Sequence, residues 1–331
     1  PQPLTVIIIS NYNGKTIFYS TQSILKLCLD SLKKTTYQNY KIVLADDSSV
    51  DNSREYVENN YTYVDIVKTN KKGGFSKNNN NAIVYTIRKY NPEYILLLNN
   101  DIIITDRDWL TQLVKLAESD EKIGIIGCKL VYPNGKIQHA GVTIDSAPRN
   151  RARAEIDKGQ YEKTEEVKAV GGALYLIKKE IIDKIGLLDE NLFMGLEDID
   201  YCIRAKKAEF SIYYNGDITA IHLEGFSSSD STDKQNQDVR FYMNQVGYIY
   251  FAFNHFNYLQ IIEALIIELL QAVFTIEGKD RVRKLKNLRF KDNLLWRLSV
   301  SLKAVVIGYK TYKNAKEKAT RKICDNITNG G

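Results

Sequence analysis

A short apolar run, residues 94–98, ends in Asn99-Asn100-Asp101, and this junction has the residue types and spacing for chemistry. A run so short, with polar neighbours on both sides, suits a strand buried on both faces of a parallel sheet. Ligands gather at the carboxyl ends of such strands. An Asn-x-Asp placed there sets two oxygen-bearing side chains one strand repeat apart on the same face. That spacing suits a hard divalent cation able to hold a diphosphate, and it equally suits a strand-terminating turn. A second acidic group, Glu197-Asp198-x-Asp200, opens a helical stretch in which Asp200 can pair with Arg204 at i,i+4. Acids at a helix start complement its dipole, yet Glu197 and Asp198 stand just ahead of that pair, available to work on a substrate. Of three histidines, only His222 follows an apolar strand at its polar tip, where it can be a metal ligand or a surface residue.

The elements that must position these groups alternate between strand and helix. Residues 4–9 read as a buried first strand ending in Ser10-Asn11-Tyr12-Asn13-Gly14-Lys15-Thr16. A P-loop is excluded, because Ile9 stands where its first glycine belongs. The polar tip can hold a nucleotide by backbone groups and the flat face of Tyr12, or simply turn the chain. A helix over 23–34 leads to a strand over 41–45, which ends in Asp46-Asp47-Ser48-Ser49-Val50-Asp51. Residues 51–53 can cap the next helix. Asp46 and Asp47 can equally accept from the imide N–H of a uracil or thymine and from a ribose hydroxyl. A third strand over 64–68 precedes Gly73-Gly74-Phe75 and four asparagines, residues 78–81. Paired glycines let backbone approach a ligand, and the following helix presents its N-terminus to an anion. The asparagine run can also be biased composition. No G-x-G-x-x-G is present, so a dinucleotide-binding fold is unsupported.

Asp108 should cap a helix over 109–116, followed by a strand over 123–128 and a hairpin at Tyr132-Pro133-Asn134-Gly135. Arg149, Arg151 and Arg153 fall in a polar connection expected to be a mobile loop. A strand over 170–177 carries Gly171 and Gly172, where backbone and a sugar can meet closely.

With 331 residues, 44% hydrophobic and 26% charged, the chain has room for a large core plus an appendage or second domain. Four scattered cysteines without a C-x-x-C pair imply neither a disulfide framework nor a zinc site, and a reducing compartment is expected. The first residues enter a strand directly, so no signal peptide is expected, and no apolar stretch is long enough to span a bilayer.

These motifs, taken in order, resemble family-2 glycosyltransferases of GT-A fold. The likeness runs from about residue 4 to 228 through Ser10-Asn11-Tyr12-Asn13, Asp46-Asp47-Ser48-Ser49-x-Asp51, Gly74-Phe75-Ser76-x-Asn78-Asn79-Asn80 and Leu98-Asn99-Asn100-Asp101. It continues in Gly171-Gly172-Ala173, Gly186-x-x-Asp189-Glu190, Glu197-Asp198-x-Asp200-x-x-x-Arg204 and His222-x-x-Gly225-x-Ser227. Ile137-Gln138-His139-Ala140-Gly141 resembles the subset that builds polysaccharides and lipid-linked glycans, rhamnosyltransferases among them. Two departures stand out: Asn99 replaces the first acid of the metal motif, and Glu209 replaces a small residue, which is expected to be harmless. The resemblance implies an α/β, Rossmann-like, mixed and mostly parallel sheet flanked by helices, with a catalytic domain over 1–230; the residues beyond it, 231–331, read by their own spacing as a helical extension. It implies a UDP- or dTDP-sugar on Ser10, Asn11, Tyr12, Asp46, Asp47, Gly74, Phe75, Asn79, Asn99, Asn100 and Asp101. Mg2+ or Mn2+ would sit on Asp101 and His222, with Asp198 as general base, Glu197 in reserve, and Gly172 and Asp189 beside the sugar or acceptor. Inverting transfer to a glycan hydroxyl is the implied reaction. A catalytically dead binding module of the same fold, which Asn99 keeps in view, and a sugar nucleotidyltransferase are the alternatives.

The charge is uneven. Between residues 279 and 322 there are 15 Lys/Arg and 3 Asp/Glu, leaving 31 basic and 37 acidic residues elsewhere. Leu259, Ile262, Leu265, Ile266 and Leu269 recur at helical spacing, and Trp296, Leu298, Val300, Leu302, Val305, Val306 and Ile307 lie among the basic residues. Basic helices with such residues suit an anionic membrane surface, hence an expected peripheral place on its cytoplasmic face. A homodimer contact is the rival, and nucleic acid lacks a motif.

Overall fold

The computed structural model describes residues 1–144, 147–192, 195–224, 234–276, 288–290 and 294–328. Gly225 and Ser227 of the last motif, and residues 279–287 of the basic stretch, lie outside them. The chain forms two compact units, one of residues 1–190 and 197–232, the other of 191–196 and 233–331.

The first unit is built on a ten-stranded mixed sheet. In chain order its strands are β1 (Thr5–Asn11), β2 (Tyr40–Asp46), β3 (Val64–Lys68), β4 (Tyr94–Asn99) and β5 (Ile102–Ile104). They continue as β6 (Ile123–Val131), β7 (Ile137–His139), β8 (Glu165–Glu166), β9 (Leu174–Lys178) and β10 (Ser211–His222). Across the sheet the order is β8-β10-β6-β9-β4-β1-β2-β3, with β5 beside β10 and β7 beside β6. Strands β3, β2, β1 and β4 run parallel, so Asn11, Asp46 and Asn99 finish at one edge. β9 enters antiparallel between β4 and β6, which brings its leading residues, not its end, to that edge. Sequence alone gave no sign of this reversal, because direction depends on pairing.

The apolar runs are buried on both faces, as expected of central strands. Ile7 and Ile9 join one cluster with Leu44, Leu96 and Leu98, covered by Leu25 and Leu29 of α1 (Ile24–Leu32) and Leu110 and Leu113 of α4 (Trp109–Glu118). The intervening Val6 and Ile8 are equally buried, and α3 (Gly74–Tyr90) packs on β1 and β2 with Ala82 and Ile83 buried. Each such side chain contributes about 1.5–3 kcal/mol by leaving water. Asp108 holds the N-cap position of α4, but its carboxylate accepts the Thr36 hydroxyl (2.5 Å) and caps nothing. The Tyr132–Gly135 turn forms as expected, with the Gly135 N–H donating to the Tyr132 carbonyl (2.8 Å).

Helix α2 (Ser53–Asn60) starts from Asn52 rather than Asp51, and α5 (Lys179–Ile185) precedes α6 (Glu197–Lys207). On α6, Arg204 binds Asp200 (2.8 Å) and donates to the carbonyls of Ile185 and Leu187, tying down the turn before the helix. The helix closes with the Phe210 N–H on the Ala205 carbonyl and the Glu209 N–H on the Lys206 carbonyl. That double bond pattern is a Schellman cap, and it holds Glu209 at φ +71°, in the left-handed region that favours glycine. The replacement at Glu209 is therefore accommodated with backbone strain.

In the second unit, α7 (Lys234–His255), α8 (Tyr258–Val273) and α9 (Leu294–Thr328) pack together. Gln245 and Ser301 exchange buried hydrogen bonds between α7 and α9. Gly308 lies so close to α7 that a Cβ there would fall 2.7 Å from Ile249. The packed face of α8 and α9 uses Ala264 and Ala304, whereas Leu259, Ile262, Ile266, Leu302, Val306 and Ile307 are exposed. The apolar spacing of α8 thus marks an outward face among the described residues. No described helix is long and apolar enough to cross a membrane.

Glu209→Gly should stabilise the first unit by roughly 0.5–1 kcal/mol by relieving the left-handed strain. The urea midpoint should rise accordingly; an unchanged or lowered midpoint would contradict the strain.

Candidate active site

Asn11, buried at the end of β1, joins three strand ends. Its amide nitrogen donates to Asp46 Oδ1 (2.9 Å) and Ser49 Oγ (3.1 Å), and its oxygen accepts from Asn100 Nδ2 (2.7 Å). Asp46 is fully buried; its other oxygen accepts the Ser49 N–H (3.1 Å) and lies 3.4 Å from Arg54 Nε. Asp47 accepts from the Thr69 hydroxyl (3.0 Å) and from the N–H groups of Gly73 (2.7 Å) and Gly74 (3.0 Å). It is thus the acid at the head of α3, complementing the helix dipole and its free N–H groups. Ser10 Oγ donates to Asn79 Oδ1 (2.9 Å), and Asn79 Nδ2 to the Phe75 carbonyl (2.9 Å). The asparagine run is specific placement: Asn78 donates to the Ala45 carbonyl (2.7 Å), and Asn80 both donates to the Leu188 carbonyl and accepts its N–H (each 3.0 Å). Tyr12 is exposed at this rim, with Lys72 Nζ 3.6 Å from its ring centre.

Asp101 and His222 meet next to this frame. Both are buried, and His222 Nε2 lies 3.1 Å from Asp101 Oδ1. The pairing of β5 with β10 sets His222 opposite Ile102, directly after Asp101. Behind the imidazole, Nδ1 is 2.7 Å from Gln138 Oε1, and Gln138 Nε2 donates to Glu224 Oε2 (2.6 Å). Arg153 donates to both Glu224 oxygens (2.8 Å each), and Tyr132 adds its hydroxyl (3.0 Å). Arg153, with the contacts of Gln138 and Tyr132, holds the Glu224 carboxyl below its usual range against the opposing effect of burial, the largest single influence on it. Among the described residues no group of three or more His, Cys, Asp or Glu side chains could hold a metal ion. A hard oxygen and an imidazole nitrogen at this separation do suit Mg2+ or Mn2+ whose other ligands come from a diphosphate and water.

Asp198 stands at the start of α6. Its Oδ2 accepts the Gly172 N–H (2.6 Å) and its Oδ1 the Ile199 N–H (2.8 Å). Burial raises its pKa above the ordinary carboxylate range, and Asp200 adds to that; the two N–H contacts pull the other way. A Cβ on residue 172 would come within 3.1 Å of the Asp198 Cβ and 3.5 Å of the Phe75 ring, so a larger residue would have to push one of them aside. The Asn99 N–H donates to the Ala173 carbonyl (2.9 Å), which fixes the Gly172 segment against the end of β4. The expected sugar-side glycine, the base candidate and Phe75 therefore converge.

The sequence reading gave no role to His139. It is buried, with Nδ1 3.0 Å from Asn150 Oδ1, and its Nε2 accepts the N–H groups of Gly171 (3.2 Å) and Gly141 (3.3 Å). Burial pushes its pKa down to about 4, partly opposed by Asn150, and the Arg151 charge deepens the effect. A neutral imidazole thus braces the peptide next to the one that holds Asp198. Gln138 and His139 were visible in the sequence only as part of the Ile137–Gly141 motif, and the strand that carries them was not foreseen. Glu197 is buried, and Asp189 is half-buried just before the first unit's break at residue 190. Arg151 binds Glu165 (2.7 Å) and the Ala140 carbonyl (2.7 Å), and Arg149 and Asn150 lie in a short hairpin strand, Pro148–Asn150. The arginine connection expected to be a mobile loop is thus pinned after residue 146 by the ion pairs of Arg151 and Arg153.

The glycosyl transferase family 2 model matches residues 6–186, more than half of the chain, and the chain belongs to that family. Rhamnosyltransferase WbbL of Escherichia coli (strain K12) is 26% identical over 217 residues, covering 62% of this chain and 81% of that protein. The O-antigen biosynthesis protein RfbC of Myxococcus xanthus is 24% identical over 221 residues, covering 63% of this chain and 17% of that protein. The uncharacterized protein y4gI of Sinorhizobium fredii is 28% identical, and the chain covers 23% of it. The chain therefore spans about a quarter or less of the length of these last two relatives. Among solved structures, the mannosyltransferase PcManGT of Pyrobaculum calidifontis, in complex with GDP-Man and Mn2+, gives a TM-score of 0.53 at 15% identity, over 98% of this chain and 81% of that one. S. aureus TarS 1-349 gives 0.51 at 12% identity, over 94% and 92%. These likenesses establish the GT-A fold, as the motifs led one to expect.

The depressed His139 pKa has a consequence for stability. An unfolded chain takes up this proton near pH 6.5 and the folded one near pH 4, so stability present above pH 6.5 is lost as pH falls towards 4. His139→Gln should flatten that part of the urea-midpoint profile relative to the parent. Parallel profiles would contradict a buried neutral imidazole.

Proposed function

We propose that the chain is an inverting, metal-dependent glycosyltransferase. It would move a sugar from a UDP- or dTDP-sugar to a hydroxyl of a glycan acceptor, lipid-linked, in cell-surface polysaccharide or glycoconjugate synthesis. The observation that carries this is the pairing, along one sheet edge, of an Asp101–His222 corner (3.1 Å) with a carboxylate, Asp198, held on a glycine peptide (2.6 Å). Support comes from the family, from rhamnosyltransferase WbbL, and from a fold neighbour whose structure contains GDP-Man and Mn2+.

In this reading the nucleotide lies across the ends of β1, β2 and β4. The base stacks on Tyr12 once Lys72 swings off the ring, and its imide N–H takes the place of Arg54, the longest contact on Asp46 (3.4 Å). Ser10, Asn11, Asn79 and Asn100 keep the floor in register, while Asp47 keeps Gly74 and Phe75 at the head of α3. Asp101 and His222 would hold the divalent cation, which when bound supplies positive charge to a departing diphosphate. Asp198 accepts the proton of the acceptor hydroxyl as that oxygen attacks the anomeric carbon from the face opposite the leaving group, which inverts the centre. Burial suits it to the task, since a raised pKa makes the carboxylate a stronger base. Asp189 and Gly172 would border the sugar.

The second unit extends the reading. Leu259, Ile262 and Ile266 on α8 are exposed, and the 279–322 stretch carries a large positive excess. An anionic lipid surface on the cytoplasmic side matches both features, each basic residue near the headgroups contributing on the order of 1 kcal/mol. Salt-sensitive sedimentation with anionic vesicles tests this; a stable dimer without vesicle binding favours the contact between copies.

Asp198→Asn should lower turnover by about 10²-fold or more with near-unchanged donor affinity. In the parent, kcat/KM should fall on acidification through a pKa above the ordinary carboxylate range. Release of UDP or dTDP from a panel of sugar nucleotides, with manganese, measures both. No release from any donor would leave a binding module, and full turnover in the Asn variant would remove Asp198 from its role.

A further inference from the structure

We propose that Gln138 is a positioning residue for His222, and that Glu224 and Arg153 decide which way its amide faces. The inference rests on the metal-dependent reading above. An amide can present either its oxygen or its NH2 to a neighbour, and the two orientations look alike in outline. Here the choice is forced. Glu224, ionised beside Arg153, accepts hydrogen bonds only, so the NH2 end of Gln138 must face it (2.6 Å). The oxygen is then left to face His222 Nδ1 (2.7 Å). An oxygen there requires the hydrogen on Nδ1, and a neutral ring so arranged carries its lone pair on Nε2. Nε2 is the atom aimed at Asp101 (3.1 Å), so the relay delivers a ligand lone pair to the corner where a cation fits.

The relay also explains sequence features that the transferase reading leaves unused. Gln138 is buried within a strand of three residues, where a side chain that is polar at both ends needs two partners. Arg153 donates to both Glu224 oxygens and Tyr132 adds a third bond, so the outer end is held from two directions. Arg153, the last of the three arginines, thus reaches the cation corner through Glu224 and Gln138.

The test is calorimetric titration of manganese into the full chain with UDP, and separately dTDP, in excess. Gln138→Leu keeps the bulk but removes both polar ends. It should weaken manganese binding by about 10- to 100-fold, with the melting temperature close to the parent's. A double exchange, Gln138→Glu with Glu224→Gln, restores an acceptor at Nδ1 and an amide beside Arg153, and should recover most of the loss. Rescue of this kind separates positioning from packing, since the single Gln138→Glu places two carboxylates together and should not recover. Unchanged manganese affinity in Gln138→Leu overturns the proposal, as does failure of the exchange to rescue. Should Gln138→Leu not fold, Glu224→Ala at the exposed end decides the matter: weaker manganese binding supports the relay and parental binding overturns it. A parent that binds no manganese removes the metal reading and this inference with it. A parent that binds manganese while every variant matches it removes the inference alone.

Discussion

Burying a polar side chain without partners costs more than the bond it could have made returns, and the sheet edge is organised by that constraint. Asn11 shows how. Parallel strands must end near one another, and their last side chains leave water together. An amide offers donors at one end and acceptors at the other, so one residue can satisfy Asp46, Ser49 and Asn100 at once. With that stitch made, the two loops that follow β1 and β2 cannot move independently, and the chain after β4 is held against both. The acids Asp46 and Asp47 then act through geometry before any ligand arrives. One completes the stitch and the other takes the first N–H groups of α3. A nucleotide bound here as proposed would find a shape already set, so little ordering entropy would remain to oppose binding.

The catalytic half is hung from a strand of three residues. Its pairing with β6 is irregular at Gln138, and the two neighbours Gln138 and His139 reach different partners. Gln138 reaches His222, and His139 braces the Gly171 peptide whose neighbour holds Asp198. In the proposed reaction, two tasks of opposite sign, supporting departure of an anion and receiving a proton, would thus be tied to adjacent residues on β7. A shift of that strand by one residue would move both side chains off their partners and break both corners together. The fixed register with β6 and the ion pairs around residues 149–153 oppose such a slip.

Much of this architecture was legible in the sequence, and the limit is physical. Runs such as 5–9, 42–45 and 94–98 are apolar throughout because central strands are buried on both faces, which leaves a readable signature. Acids and amides at their ends stand out for the same reason. The direction of β9 was not legible, because an isolated strand reads the same whichever way it pairs. Nor were the tasks of Asn78, Asn79 and Asn80, whose partners lie up to 110 residues away. Composition gave a run of one residue type; tertiary contact gave three separate pins. In the second unit the spacing of Leu259, Ile262 and Ile266 was legible as a face, but which way that face points was not. Small residues decided it, since Ala264, Ala304 and Gly308 allow close helix approach.

Asp198, the base of the proposed reaction, shows what a helix start on a glycine peptide does for a carboxylate. A carboxylate in the open has too low a pKa to bind a proton well, and one buried without partners loses its charge altogether. Burial here raises the pKa, while the N–H groups of Gly172 and Ile199, and the positive end of α6, favour the charge. The balance leaves a raised pKa on a carboxyl that two N–H groups hold in place. Neither influence alone would do. Burial without the two donors would deliver a neutral acid, and the donors without burial would deliver a carboxylate too stable to act. His139 completes the argument, because the Gly172 donor is only as well placed as the Gly171 peptide before it. Its own burial keeps the ring neutral and its lone pair available. A residue outside the proposed chemistry can in this way act on the basicity of Asp198.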